Sequence, residues 1–199
     1  MKRIALLVAA VILPLTAETL SRGDRDFAMS HLHASRKLFL DAIDGLSEAQ
    51  WKFKPSPERW SIAEAAEHIA LSEDALLGLI TEKALKSEPV KDRPRPARAD
   101  DEKLIVMIRD RSRKGTAPEF LKPSGKWATR EALAEDFKKS RERTISFVES
   151  TAEDLRSHTT PHPVLQSMDA YQWVLLIAAH TERHTAQINE VKADANFPK

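Results

Sequence analysis

The sequence predicts an all-α fold, a four-helix bundle with a long crossover connection, preceded by an N-terminal signal peptide. Three observations carry this. Glycine is scarce, 5 against 11 prolines, while Ala, Leu, Glu, Lys and Arg fill long stretches, which suits helices. Apolar residues recur at three- and four-residue spacing behind polar caps. Prolines gather between those periodic segments, where a helix cannot continue. Amphipathic helices hide their stripes only against one another, and a bundle does so.

At the N-terminus, Met1-Lys2-Arg3 is a short positive start, followed by an apolar run from Ile4 to Leu15 broken only by Pro14, then small Thr16-Ala17. This pattern reads as a secretory signal peptide over residues 1–17, with cleavage as late as about residue 21. A run of about twelve residues is too short to span a bilayer. An uncleaved anchoring N-terminus is the alternative. Cleavage removes Lys2 and Arg3 and leaves 29 basic against 30 acidic residues. That balance gives no reason to expect nucleic acid as a partner. The expected mature protein is exported, periplasmic or secreted, and has no stable membrane span.

One bundle domain over residues 24–192 follows. The first helix runs from about Asp24 to Ile43 with Phe27, Leu32, Phe39, Leu40 and Ile43 on one side, and Gly45 breaks it. Ser47 to Gln50 has capping-box form and starts a single turn; Pro55 and Pro57 end it. Ser61 and Glu64 stand in S-x-x-E spacing and open the second helix, with Trp60 as a staple onto Ala65. That helix continues through Ile69, Leu76 and Ile80 to about Leu85. Lys86 to Asp101, carrying Pro89, Pro94 and Pro96, reads as a crossover outside the bundle. A third helix spans about Asp100 to Ser112. Gly115 to Ala128 reads as loop, and a fourth helix runs from Thr129 to about Glu149. After a loop holding Pro161 and Pro163, the last helix runs from about Met168 to Val191.

The chain has no cysteine, which excludes disulfides, thiolate metal sites and a thiol nucleophile. Neither GxxxxGK[ST] nor GxGxxG occurs, so the phosphate loops of nucleotide enzymes are absent.

The chemistry lies in the last helix. Trp173, Leu176, Ile177, His180, His184, Ile188 and Val191 fall near one face, with His180 and His184 about 40° apart. An i,i+4 histidine pair can converge on one cation. Alone it is a weak signal, because histidines are common on partly buried helix faces. The helix is not a metalloprotease HExxH: Glu182 follows His180 by two positions, about 200° around the axis, which turns it toward solvent. His68 adds weight. It lies two turns beyond the Ser61 cap beside Ala65 and Ile69, and if the two helices are neighbours it completes a three-nitrogen site. Three neutral ligands leave coordination positions open, as catalytic or ligand-binding sites do. Gln187 lies near the same line, placed to orient an imidazole or a bound water.

Arg59-Trp60-Ser61-Ile62-Ala63-Glu64 through Glu67-His68-Ile69-Ala70, with His180-Thr181-Glu182-Arg183-His184-Thr185-Ala186-Gln187-Ile188 near the C-terminus, resembles the DinB-like family of the DinB/YfiT-like metalloenzyme superfamily. The resemblance covers about Asp24 to Val191. It implies a divalent metal held by three histidines, which match His68, His180 and His184. Characterised relatives include thiol-dependent S-transferases and a thiol-dependent maleylpyruvate isomerase. Relatives are often dimers, so a homodimer stays open. Two features set this chain apart from those relatives, its signal peptide and its long Pro-rich crossover.

The expected activity is metal-dependent hydrolysis or thiol or group transfer on a small-molecule substrate or ligand. A non-catalytic metal- or ligand-binding bundle is the alternative, and a purely structural bundle with core histidines is a third reading. Imidazoles accept Zn, Ni and Fe alike, so the metal is not named by the sequence, nor is any catalytic residue. His31 and His33, two apart in the first helix, face nearly opposite ways, so at most one looks inward; His158 and His162, flanking Pro161, read as surface residues. Trp51, Trp60, Trp127 and Trp173 read as core or staple, with Trp127 able to line a pocket entrance. Glu67 projects about 100° from His68 and reads as surface. Arg109, Arg111, Arg113 and Lys114 read as a solvated helix end.

Overall fold

The computed structural model describes residues 20–112 and 115–199. The signal-peptide reading of residues 1–17, together with Arg113 and Lys114, lies outside the described residues. Among the described residues six α-helices form: α1 (Arg22–Ile43), α2 (Glu48–Lys52), α3 (Ile62–Leu79), α4 (Arg98–Arg109), α5 (Arg130–Ser150) and α6 (Ala170–Lys192). No helix among the described residues is long and apolar enough to cross a membrane.

The caps foreseen in the sequence form. The Glu64 amide donates to Ser61 Oγ at 3.1 Å, and Glu64 Oε2 accepts from the Ser61 amide at 2.7 Å; Ser47 and Gln50 repeat the arrangement at α2. Gly45 takes a left-handed conformation, φ +66°, just past α1, where a side chain would strain the turn. The final turn of the second long helix widens into a π-helical turn over Ile80–Ala84.

α1 packs on α6 and α5, and α3 packs on the same two, so α1 and α3 stand at opposite corners of a four-helix ring. α4, in the connection between α3 and α5, lies outside the ring against α6. The core divides in two. One apolar half contains Leu32, Ile80, Ile145, Val148, Tyr171 and Leu175. The other contains Phe39, Ile62, Ile69, Phe137 and Ile188. Ser35, Glu73, Arg141 and Thr181 sit in the helix registers between these halves, all buried. The bundle therefore has a polar waist.

An all-α fold is corrected in one place. Residues expected as loop around Pro161 and Pro163 form an antiparallel hairpin, β1 (Thr159–His162) with β2 (Gln166–Asp169), in register Thr159↔Asp169 and His162↔Gln166. Its turn has no glycine. Gln166 supplies the left-handed residue, φ +63°, and His162 Nδ1 accepts the amides of Val164 and Leu165, both at 3.1 Å. The fold is thus mostly helical, with a two-stranded ribbon leading into α6.

Candidate metal centre

α3 presents His68 and α6 presents His180 and His184, one imidazole nitrogen of each lying within 4.8 Å of the others. The helices are adjacent because apolar stripes on both sides of these histidines, Ala65 and Ile69 on α3, Ile177 and Ile188 on α6, are buried. His68 Nε2 and His180 Nε2 are 3.1 Å apart. Two lone pairs cannot face each other at that distance without a shared proton or a shared cation. Two nitrogens on one ion at about 2.0–2.1 Å stand roughly 3.3 Å apart in tetrahedral geometry, so the spacing fits a common ion. Among the described residues no carboxylate belongs to the cluster.

Two rings have their tautomers set from behind. His68 Nδ1–H donates to the Leu121 carbonyl at 2.8 Å, leaving the Nε2 lone pair facing His180. His184 Nδ1–H donates to Gln187 Oε1 at 2.9 Å. That oxygen also accepts from Arg111 Nη1 at 3.3 Å, and Arg111 forks onto Glu190 at 2.5 and 2.8 Å. A guanidinium can only donate, so Arg111 turns the Gln187 amide with its oxygen toward His184. Outer partners of this kind fix the orientation and basicity of imidazole ligands.

The three rings are held neutral, the form that binds a cation. Burial, then the proximity of His184 and His68, holds His180 well below the ordinary histidine range. Burial and His68 push His184 down to about 3. Burial lowers His68, with the Leu121 hydrogen bond working against it. The Trp60 indole lies 5.0 Å from the His68 ring and 6.3 Å from that of His184. It thus covers the imidazoles, beyond the staple role its place before Ser61 suggests.

Other expected positions are redrawn. Glu67 is buried, not on the surface: its carboxylate accepts the amides of Ser124, Gly125 and Lys126 at 2.8–3.0 Å. The consecutive residues Glu67 and His68 thereby hold the loop before α5 at two points, residues 124–126 and Leu121. Glu182 is half-buried rather than turned to solvent; it pairs with Arg109 and lies 3.8 Å from His31 Nδ1. His158 Nδ1 donates to the Ser87 carbonyl at 2.8 Å. Trp127 donates to Asp136 at 3.1 Å and lines a cleft of about 480 Å³ with Trp51, Glu67 and Leu133, none of the three imidazoles among its walls.

The polar waist escaped the sequence reading. Arg141 uses all five of its donors: two on Glu73 at 2.9 and 2.5 Å, and one each on the Leu32 carbonyl, Ser35 Oγ and Thr181 Oγ1 at 2.7, 2.7 and 2.9 Å. The signal was a lone arginine between Phe137 and Ile145, four residues from each, where the apolar stripe calls for a hydrophobe.

Residues 31–188 match the family model described as the DinB superfamily. The chain is 30% identical over 164 residues to the protein named Uncharacterized protein YuaE of Bacillus subtilis (strain 168), covering 82% of this chain and 96% of that one. Its fold is similar to that of YfiT from Bacillus subtilis, described as a probable metal-dependent hydrolase with an unusual four-helix bundle topology (TM-score 0.59, 15% identity, 91% of this chain and 93% of that one). TT2238, described as a four-helix bundle protein, is similar at TM-score 0.53 and 18% identity, over 83% and 98% of the two chains. The family match spans both helices that carry the histidines and 30% identity holds over most of the chain, so this protein belongs to the DinB superfamily.

Proposed function

We propose that this protein is a metal-dependent enzyme, a hydrolase or a thiol or group transferase, with one divalent cation held by His68, His180 and His184. The observation that carries the reading is the convergence of three imidazole nitrogens within 4.8 Å, two of them on rings whose other nitrogen is tied to Leu121 and Gln187. The description of YfiT as a probable metal-dependent hydrolase supports it.

A divalent cation bound there supplies Lewis-acid activation of water, a thiol or a carbonyl. The chain's own part is to hold three neutral donors in place, to cover them with Trp60, and to leave the reacting face free of competing carboxylates. Glu67, Glu73 and Glu182 are each engaged elsewhere, so none of them stands ready as a proton acceptor at the imidazoles. The same feature favours the second reading, a bundle that binds a metal or small ligand without turnover. From the sequence of its first 17 residues, we also propose that the protein acts on a small molecule outside the cytoplasm.

Elemental analysis of untagged mature protein, beside His68→Ala and His184→Ala variants, tests the centre. One equivalent of Zn, Ni or Fe, lost in both folded variants, is the expected result. Metal uptake unchanged by both substitutions, or no uptake after reconstitution, refutes it. Turnover of ester, amide or thiol-conjugate substrates by the loaded protein then separates the enzyme from the binding module.

A further inference from the structure

The cleft of about 480 Å³ beside Trp127 opens between α2, the start of α3 and the loop before α5. Sites for small molecules run from about 300 to 1,000 Å³, so it is large enough to hold one. Two indoles, Trp51 and Trp127, line it together with apolar Ala63 and Leu133. The Trp127 ring is held by its hydrogen bond to Asp136, and one of its faces already receives a cation, Lys126 Nζ, at 4.3 Å from the ring centroid. Indole faces attract cations through the ring quadrupole.

The charges along the walls do not cancel. Glu48 pairs with Lys52 at 2.5 Å, and Glu64 with Lys54 at 3.0 Å. Glu67 has no such partner. It is 6% exposed, its donors are the amides of Ser124, Gly125 and Lys126 and the Ser124 hydroxyl, and among the described residues no lysine or arginine pairs with it. Three of those bonds end on Oε1 and one on Oε2, so Oε2 keeps acceptor capacity. The cleft therefore has one negative charge without a counter-ion, largely withdrawn from water, beside two aromatic walls. Buried charges are normally paired, and a cation from outside the chain supplies the missing partner.

We propose that this cleft is a binding site for a small organic cation, an ammonium group on a flat apolar body. The charged end is recognised by the Glu67 carboxylate, and the body by the apolar and aromatic walls of Trp51, Trp127 and Leu133. An anion of the same shape is repelled by Glu67, and a neutral molecule gains only the apolar part. None of the three imidazoles lines the cleft, so the site goes beyond the metal-centre reading and does not rest on it.

The test titrates the ¹⁵N-labelled full chain at neutral pH with benzylammonium, benzyl alcohol and benzoate, which share one ring and differ in charge. Each titration is run metal-free and repeated with Zn. Benzylammonium should bind at least tenfold tighter than benzyl alcohol, and benzoate more weakly than either in the metal-free chain. The amides of residues 124–126 and the Trp127 indole N–H should shift on binding, with or without Zn. Glu67→Gln should bring benzylammonium down to the affinity of benzyl alcohol, and Trp127→Leu should weaken both. Equal affinity of the charged and neutral probes, unmoved resonances at 124–126 and Trp127, or a preference that survives Glu67→Gln overturns the proposal. Benzylammonium binding that appears only with Zn also overturns it, because the ligand then sits at the imidazoles. The order of affinities and the resonance shifts are read in the unsubstituted chain, so they decide the matter even where a variant fails to fold.

Discussion

Arg141 donates to the hydroxyl of Thr181 at 2.9 Å, and Thr181 directly follows His180 on α6. The buried Arg141–Glu73 ion pair is therefore fastened to the helix position beside the candidate metal centre. A buried pair stripped of one member leaves an uncompensated charge, which costs about 3–5 kcal/mol. Arg141→Met should lower the unfolding free energy by about that amount, and Arg141→Met with Glu73→Leu should recover much of it. Urea denaturation of the two variants checks this; equal losses in single and double variants would contradict it.

The hydrogen bond from His184 to Gln187 makes a second prediction. Gln187→Ala removes the acceptor that holds the His184 ring and should weaken metal binding by about 10–100-fold with little change in stability. Competition against a chromophoric chelator measures it. Arg111→Met, which leaves Gln187 free to rotate, should give a smaller loss in the same direction.

The neutral histidines imply acid sensitivity of the metal-free protein. Burial and neighbouring imidazoles lower His180 and His184, and burial lowers His68. Between about pH 6.5 and the depressed folded values, the unfolded chain binds protons at these positions and the fold does not. Stability should therefore fall as pH drops below about 6.5, by roughly 1.4 kcal/mol per pH unit for each histidine still neutral in the fold. Denaturation curves from pH 7.5 to pH 5 test the slope, which should flatten in His184→Gln.

Glu67 adds a lower window. Burial alone would raise its carboxyl, but the amides of Lys126, Ser124 and Gly125 outweigh that and hold it below the usual carboxylate range. Its contribution is present above the unfolded value and lost as pH falls through the folded one. Glu67→Ala should cost about 1–3 kcal/mol by orphaning these amides. It should also speed hydrogen exchange at residues 124–126, the more local and decisive readout.

A cation that binds only the folded chain must raise its stability, by about 4 kcal/mol at a thousandfold excess over Kd. Thermal unfolding with and without Zn should show the rise in the unsubstituted protein and none in His184→Ala.

What could be read in advance follows from range. The Ser61–Glu64 cap and the α6 histidine pair are local patterns, set by three- and four-residue spacing, and both were legible. The meeting of His68 with His180 spans 112 positions and was legible only as a condition on which helices are neighbours. The hairpin was hidden because His162 and Gln166 shape its turn in place of the Asn-Gly or Gly that normally signals one. Pro161 in its first strand also argued for loop. Glu67 was misplaced because helical angle alone cannot show that the loop before α5, at residues 124–126, folds back over α3 and covers it.

The polar waist also bears on how the chain reaches this structure. Leu32 and Ser35 belong to α1, Glu73 to α3, Arg141 to α5 and Thr181 to α6, so each long helix supplies at least one partner in the same hydrogen-bonded set. Any three of these helices collapsing without the fourth would bury charged and polar groups short of a partner. Partial assemblies are thereby penalised, and the last helix to dock completes the desolvation of all of them at once. Folding should be a single concerted transition, with no stable three-helix halfway form.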